Sequence, residues 1–117
     1  MSTRLPGPKY KRVFDRGRSL KGRLLVAWRL RADDADRMAG VVVSKKTFHD
    51  AVDRNRAKRL MREAFRLLVK EGEMPEKTEW IFIARRAIGE VKCGEVVEEM
   101  KWCVKRLSCS GGAIRWF

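Results

Sequence analysis

Asn55, Arg59, Arg62 and Arg66 recur at i, i+4, i+7 and i+11, the spacing that stacks side chains along one face of a helix. Lys58 and Lys70 flank that line, and Arg54 and Arg56 stand beside its start. Such a row works against its own helix, because like charges three and four residues apart cost about a few tenths of a kcal/mol per pair. Within the segment only Asp53 and Glu63 offset it. The chemistry it suits is capture of a polyanion, since a guanidinium fork grips phosphate bidentately and never deprotonates. The competing reading is a solvated face on an ordinary surface helix. The net charge of +13 and pI of about 10.4 argue for nucleic acid instead.

A second group of residues could bind unpaired bases. Tyr10, Val13 and Phe14 sit at helical spacing, and Trp28 lies in an apolar run further on. Aromatics at i and i+4, or on one strand face, are usually core, and periodicity alone favours that reading. Partly exposed and lining a groove, they would stack on bases, worth about 1–3 kcal/mol each. Val43-Ser-Lys-Lys46 follows a strand-like run. It is either a charged edge that blocks aggregation or a pair of ammonium groups, Lys45 and Lys46, beside a phosphate path.

Other chemistry is poorly served. His49 is the single histidine, so a nucleophilic triad has no spare base, and it reads as a loop residue that could touch RNA. Asp33, Asp34 and Asp36 crowd a turn, where solvation explains them. The three cysteines, Cys93, Cys103 and Cys109, lack the paired spacing of a zinc site and read as reduced structural or surface thiols. There is no Gly-rich phosphate loop. No metal site and no catalytic residue are expected on this chain. Without an apolar run of about 18 residues or a signal-like N-terminus, it is expected to be cytoplasmic, with no membrane partner.

The elements that must position these residues follow from the pattern. The 117 residues, 44% hydrophobic and 37% charged, suit one globular domain spanning 1–117, with tails at 1–7 and 108–117. Pro8 opens a short helix and Gly17 closes it. Leu24–Leu30 and Met38–Ser44 read as strands, expected to pair as an antiparallel hairpin across the Asp-rich turn. The basic helix starts at an N-cap, Asp50 or Asp53, and ends near Glu71, before Gly72 and Pro75. Its apolar stripe is Ala57, Leu60, Met61, Ala64 and Leu68. Glu79–Ala84 is a buried strand and 89–94 a loop. A last helix over Gly94–Leu107 carries Val96, Val97, Met100, Val104 and Leu107 inward. Helix, strands, helix, strand, helix predicts one sheet with helices packed on it.

In these residues the chain resembles the protein component of bacterial-type ribonuclease P. The most specific match is Arg54-Asn55-Arg56, then Lys58-Arg59, then Arg62-Glu63-Ala64-Phe65-Arg66. Tyr10-Lys-Arg-Val-Phe14 before Gly17-Arg-Ser19, Leu25-Val-Ala-Trp28, Gly40-Val-Val-Val-Ser-Lys-Lys46 and Ile81-Phe-Ile-Ala-Arg85 agree in order. Together they cover about residues 9–107. The chain departs from the family in a shorter basic run before the first helix and a different loop between Lys46 and Arg54, and in Tyr10 where phenylalanine is usual.

The resemblance implies an α+β, two-layer sandwich of the ribosomal S5 domain 2-like kind. It would have a mostly antiparallel sheet of about four strands, three helices and a left-handed β-α-β crossover, an exception to the usual hand. It implies a subunit that aids removal of the 5′ leader from precursor tRNA, with catalysis carried by an RNA subunit and by Mg²⁺ held mainly by that RNA. Arg54, Asn55, Arg56, Lys58, Arg59, Arg62 and Arg66 would face the catalytic RNA. Tyr10, Phe14, Trp28, Lys45 and Lys46 would hold the leader. The alternative is a ribosomal-type structural RNA-binding protein with no part in cleavage. A DNA-binding role is disfavoured because no helix-turn-helix partner precedes the basic helix.

Overall fold

The computed structural model describes residues 7–31, 38–72 and 78–113. The turn expected at Asp33, Asp34 and Asp36, and Pro75, Trp116 and Phe117, lie outside them. The described elements are α1 (Gly7–Arg16), β1 (Arg18–Lys21), β2 (Leu25–Arg31), β3 (Met38–Val42), α2 (Ala51–Lys70), β4 (Thr78–Ala84), a 3₁₀ turn (Arg86–Glu90) and α3 (Cys93–Ala113).

One mixed sheet runs in the order β1-β2-β4-β3. β1 pairs antiparallel with β2, β2 antiparallel with β4, and β3 parallel with β4 through the α2 crossover. The expected hairpin between the strands around Leu24–Leu30 and Met38–Ser44 does not form, because β4 lies between them. The cause is apolar demand. Every residue of β4 except Ile83 is buried, and a strand covered on both faces belongs at the centre of a sheet with a neighbour on each side.

β1 escaped the sequence reading because Arg18-Ser-Leu-Lys21 is short, mostly exposed and has no apolar alternation. It is held instead by its turn. Gly22 N–H donates to Leu25 O at 2.9 Å. The Glu99 carboxylate accepts the backbone N–H groups of Arg23, Leu24 and Leu25 at 3.1, 2.6 and 2.9 Å. A side chain at position 22 would run into that carboxylate, with its Cβ 2.6 Å from Glu99 Oε2.

The main core lies on one face of the sheet. Leu25 and Ala27 of β2 and Trp80, Phe82 and Ala84 of β4 meet α2 and α3 there. Trp80 and Phe82 project from the same face two residues apart and stack with centroids at 5.8 Å. α2 buries Ala57, Met61, Ala64, Phe65 and Leu68, so Phe65 joins the expected stripe while Leu60 is only half-buried. The helix begins after Asp50, whose side chain makes no capping bond, and Gly72 leaves it at φ +75°, which a glycine adopts without strain. α3 buries Val96, Met100, Cys103, Val104 and Leu107 and continues past Leu107 to Ala113, since extending a formed helix costs far less than starting one.

Burial, and secondarily the charge of Glu99, pushes the Cys103 thiol up to about 12. Iodoacetamide at pH 8 is therefore expected to leave Cys103 unmodified in the native protein and to label it in urea, as read by peptide mass spectrometry. Native-state labelling of Cys103 would contradict this packing.

Candidate nucleic-acid interface

The packing of α2 decides which of its cations face outward. With Ala57, Met61, Ala64 and Leu68 turned to the core, Asn55, Arg59, Arg62 and Arg66 are left on the opposite face, and all four are exposed. Arg59 and Arg62 make no hydrogen bond or ion pair with other described residues. Arg66 is paired with Glu63 one turn back through two guanidinium–carboxylate contacts. That hydrogen bond holds the Glu63 carboxyl below its ordinary value and the Arg66 guanidinium above its own. Both groups stand in solvent, so the pair orients Arg66 more than it stabilises the helix.

Arg54 and Arg56 are used differently from the outward row. Arg54 Nη1 donates to the carbonyls of Phe48 and His49 at 3.0 and 2.7 Å, fastening the loop before α2 to its first turn. Arg56 donates from Nη1 to Gly89 O at 3.1 Å and from Nη2 to Val91 O at 3.0 Å, tying α2 to the 3₁₀ turn and the residue after it. Each charge remains at the surface, but its position is set by the fold. Lys58 is half-buried at the margin of the face, and His49 is exposed with its carbonyl taken by Arg54.

The other face of the sheet carries the aromatics. α1 crosses it over the row Gly40–Ile81–Trp28, with Val13 fully buried on Ile81. Tyr10 lies on Gly40, where any Cβ would overlap the phenol ring. Phe14 meets Trp28 edge to face at 5.1 Å and is still 37% exposed. Gly17 closes the helix with its N–H on Val13 O at 2.7 Å and is wedged against the Arg29 carbonyl. Tyr10, Phe14 and Trp28 are therefore neither sealed core nor free surface. They stand beside the half-buried row Val26, Ile83 and Val42 on three adjacent strands, and with it they make the candidate cleft.

Lys45 and Lys46 are exposed in the turn just past β3, beyond Val42 at the end of that row. The turn is fixed by Ser44, whose carbonyl accepts Phe48 N–H at 3.1 Å and whose hydroxyl meets Thr47 Oγ1 at 3.0 Å. α2 begins at Ala51, so these lysines join the aromatic cleft to the basic helix. The sequence reading missed the residues of that row, whose signal is the period-two alternation in β2 and β4. It also missed Glu79, which sits among apolar neighbours as a buried carboxylate against Lys9 and Arg12.

A cavity of about 1090 Å³ between the β1–β2 turn and α3 is lined by Leu24, Arg85, Glu99 and Trp102, among others, and by none of the residues of the basic helix or the aromatic face. At the other end of β2, burial first, then Arg31 and Arg18, holds the Arg29 guanidinium below its ordinary value. Among the described residues no three His, Cys, Asp or Glu side chains are grouped to hold a metal ion, and no helix is long and apolar enough to cross a membrane.

A mixed sheet with an outward guanidinium row on one side and partly exposed aromatics on the other defines a basic α+β protein. Residues 5–108 match the family model described as Ribonuclease P. The ribonuclease P protein component of an Exiguobacterium species is 40% identical over 98 residues, 84% of this chain and 82% of that protein. The one from Pelotomaculum thermopropionicum is 39% identical over 97 residues, 83% of this chain and 84% of that protein. Among solved structures, the RNase P protein from Thermotoga maritima superposes with a TM-score of 0.76 at 27% identity, covering 88% of this chain and 96% of that one. The Staphylococcus aureus RNase P protein gives 0.75 at 25%, covering 91% and 95%. The chain belongs to the ribonuclease P protein component family.

The two kinds of arginine separate by stability. Arg56→Ala removes two charge-assisted hydrogen bonds to backbone carbonyls and is expected to cost about 1.5–3 kcal/mol in urea denaturation. Arg59→Ala is expected to change stability by no more than about 0.5 kcal/mol. Equal losses would contradict the division.

Proposed function

We propose that this chain works as the protein subunit of ribonuclease P, binding the catalytic RNA with the outer face of α2 and the 5′ leader of precursor tRNA in the α1–sheet cleft. The observation that carries this reading is the exposed row Asn55, Arg59, Arg62 and Arg66, opposite the buried stripe of the same helix, in a chain of this family. Nothing found favours the structural RNA-binding alternative. In this reading the chain is an accessory subunit of an endoribonuclease, cytoplasmic, with no DNA or membrane partner and no catalytic side chain of its own.

Arg59 and Arg62 would contact RNA phosphates directly, with Arg66 oriented by Glu63 and Arg54, Arg56 and Lys58 at the margin. Each neutralised phosphate releases condensed counterions, so affinity should fall steeply with salt. Tyr10, Phe14 and Trp28 would take leader bases by stacking, with little sequence preference, while Lys45 and Lys46 meet the leader backbone. In this reading the Mg²⁺ ions would be held mainly by the RNA. Those ions would supply the hydrolytic chemistry when bound. The protein's own contribution is to screen phosphate repulsion and keep the leader in place, which lowers the Mg²⁺ the assembly needs.

Cleavage of a precursor tRNA by a cognate catalytic RNA at low Mg²⁺ tests the proposal. The wild-type protein should stimulate correct 5′ cleavage. Arg59→Ala/Arg62→Ala should stimulate less and flatten the salt dependence of RNA binding by about one unit of slope per lost phosphate contact. Tight RNA binding with no stimulation at any protein concentration would overturn the ribonuclease P reading.

A further inference from the structure

Glu79 is fully buried on β4, on the sheet face that receives α1. Its Oε2 accepts Arg12 Nη2 at 2.8 Å and Lys9 Nζ at 3.1 Å, and its Oε1 has no hydrogen-bond partner among the described residues. Burying a carboxylate is costly even when paired, and an apolar side chain of similar volume often serves stability as well. Its presence calls for a role beyond stability.

The geometry of α1 supplies one. The helix is ten residues long, too short to be stable alone, and Val13 is its fully buried apolar anchor. Tyr10 on Gly40 and Phe14 on Trp28 are only partly buried, so the roll of the helix about its own axis depends also on what holds its other edge. Lys9 and Arg12, three residues apart, occupy one edge of the helix. Tyr10 and Phe14, four apart, occupy the other. The carboxylate draws the first edge down onto β4, which sets the second edge over Gly40 and Trp28.

We propose that Glu79 is a positioning residue for recognition of single-stranded leader RNA: by holding Lys9 and Arg12, it fixes the roll of α1 at which Tyr10 and Phe14 present their rings beside the Val26–Ile83–Val42 row. The inference rests on the leader-binding reading of this cleft. It also explains why two cations beside a groove meant for RNA are turned inward. At this contact the Lys9 side chain is 29% exposed and the Arg12 side chain 35%.

The test uses the holoenzyme reconstituted with the catalytic RNA. Affinity is measured for a precursor tRNA with a long leader and for the same tRNA with a one-nucleotide leader. The wild type should prefer the long leader, and the absence of any preference would sink the leader-binding reading together with this inference. Given that preference, Glu79→Gln should weaken long-leader binding about tenfold, the order of one lost base stack, and leave short-leader and RNA-subunit affinities unchanged. Glu79→Asp, which keeps the charge, should recover part of it. Arg12→Gln, a milder change if Glu79→Gln does not fold, should give the same selective loss in smaller measure. A lowered melting temperature with leader preference intact in Glu79→Gln and Arg12→Gln, or equal weakening for both leader lengths, would overturn the positioning role.

Discussion

The covering of β4 on both faces is the constraint on which the rest of the structure depends. Trp80, Phe82 and Ala84 point to α2 and α3, while Glu79, Ile81 and Ile83 point to α1. Strand residues alternate between faces, so one seven-residue strand serves two unlike environments. Its central place separates β2 from β3 and puts the crossover helix on the face away from α1. The basic helix face and the aromatic face therefore lie back to back, and neither distorts the other.

Charge is distributed on the same plan. A helix rich in cations is a poor helix by itself, and tertiary burial of Ala57, Met61, Ala64, Phe65 and Leu68 is what maintains it. Arg54 and Arg56 turn part of the repulsion to structural use by donating to loop carbonyls on either side. Their guanidinium forks satisfy two carbonyls each, which a lysine would do less well. Asn55, Arg59 and Arg62 are left exposed on the outer face.

The sequence showed much of this because the strongest patterns were long and periodic. The face of α2 was legible from spacing alone, as were α1 between Pro8 and Gly17 and the apolar run of β4. Pairing was less legible. Two neighbouring apolar segments looked like a hairpin, and only the demand of β4 for cover on both faces decides otherwise. β1 left no trace in composition, since Gly22 and the distant Glu99 hold its turn. Tyr10, Phe14 and Trp28 resisted assignment for a physical reason: Tyr10 and Trp28 are half-buried and Phe14 packs on Trp28 while staying exposed. Glu79 was hidden because a buried ion pair depends on what the chain brings opposite it, Lys9 and Arg12 from far away in sequence.

The central claim is that the sheet divides leader from catalytic RNA, the α1 face taking the first and the outer face of α2 the second. Site-specific cross-linking tests it most directly: a precursor tRNA with 4-thiouridine in its leader is bound to the holoenzyme, irradiated, and the modified peptides are identified by mass spectrometry. The account predicts cross-links in peptides carrying Tyr10, Phe14, Trp28 and the Lys45–Lys46 turn. Leader cross-links concentrated at Arg59, Arg62 and Arg66, with the α1 face unmodified, would contradict it.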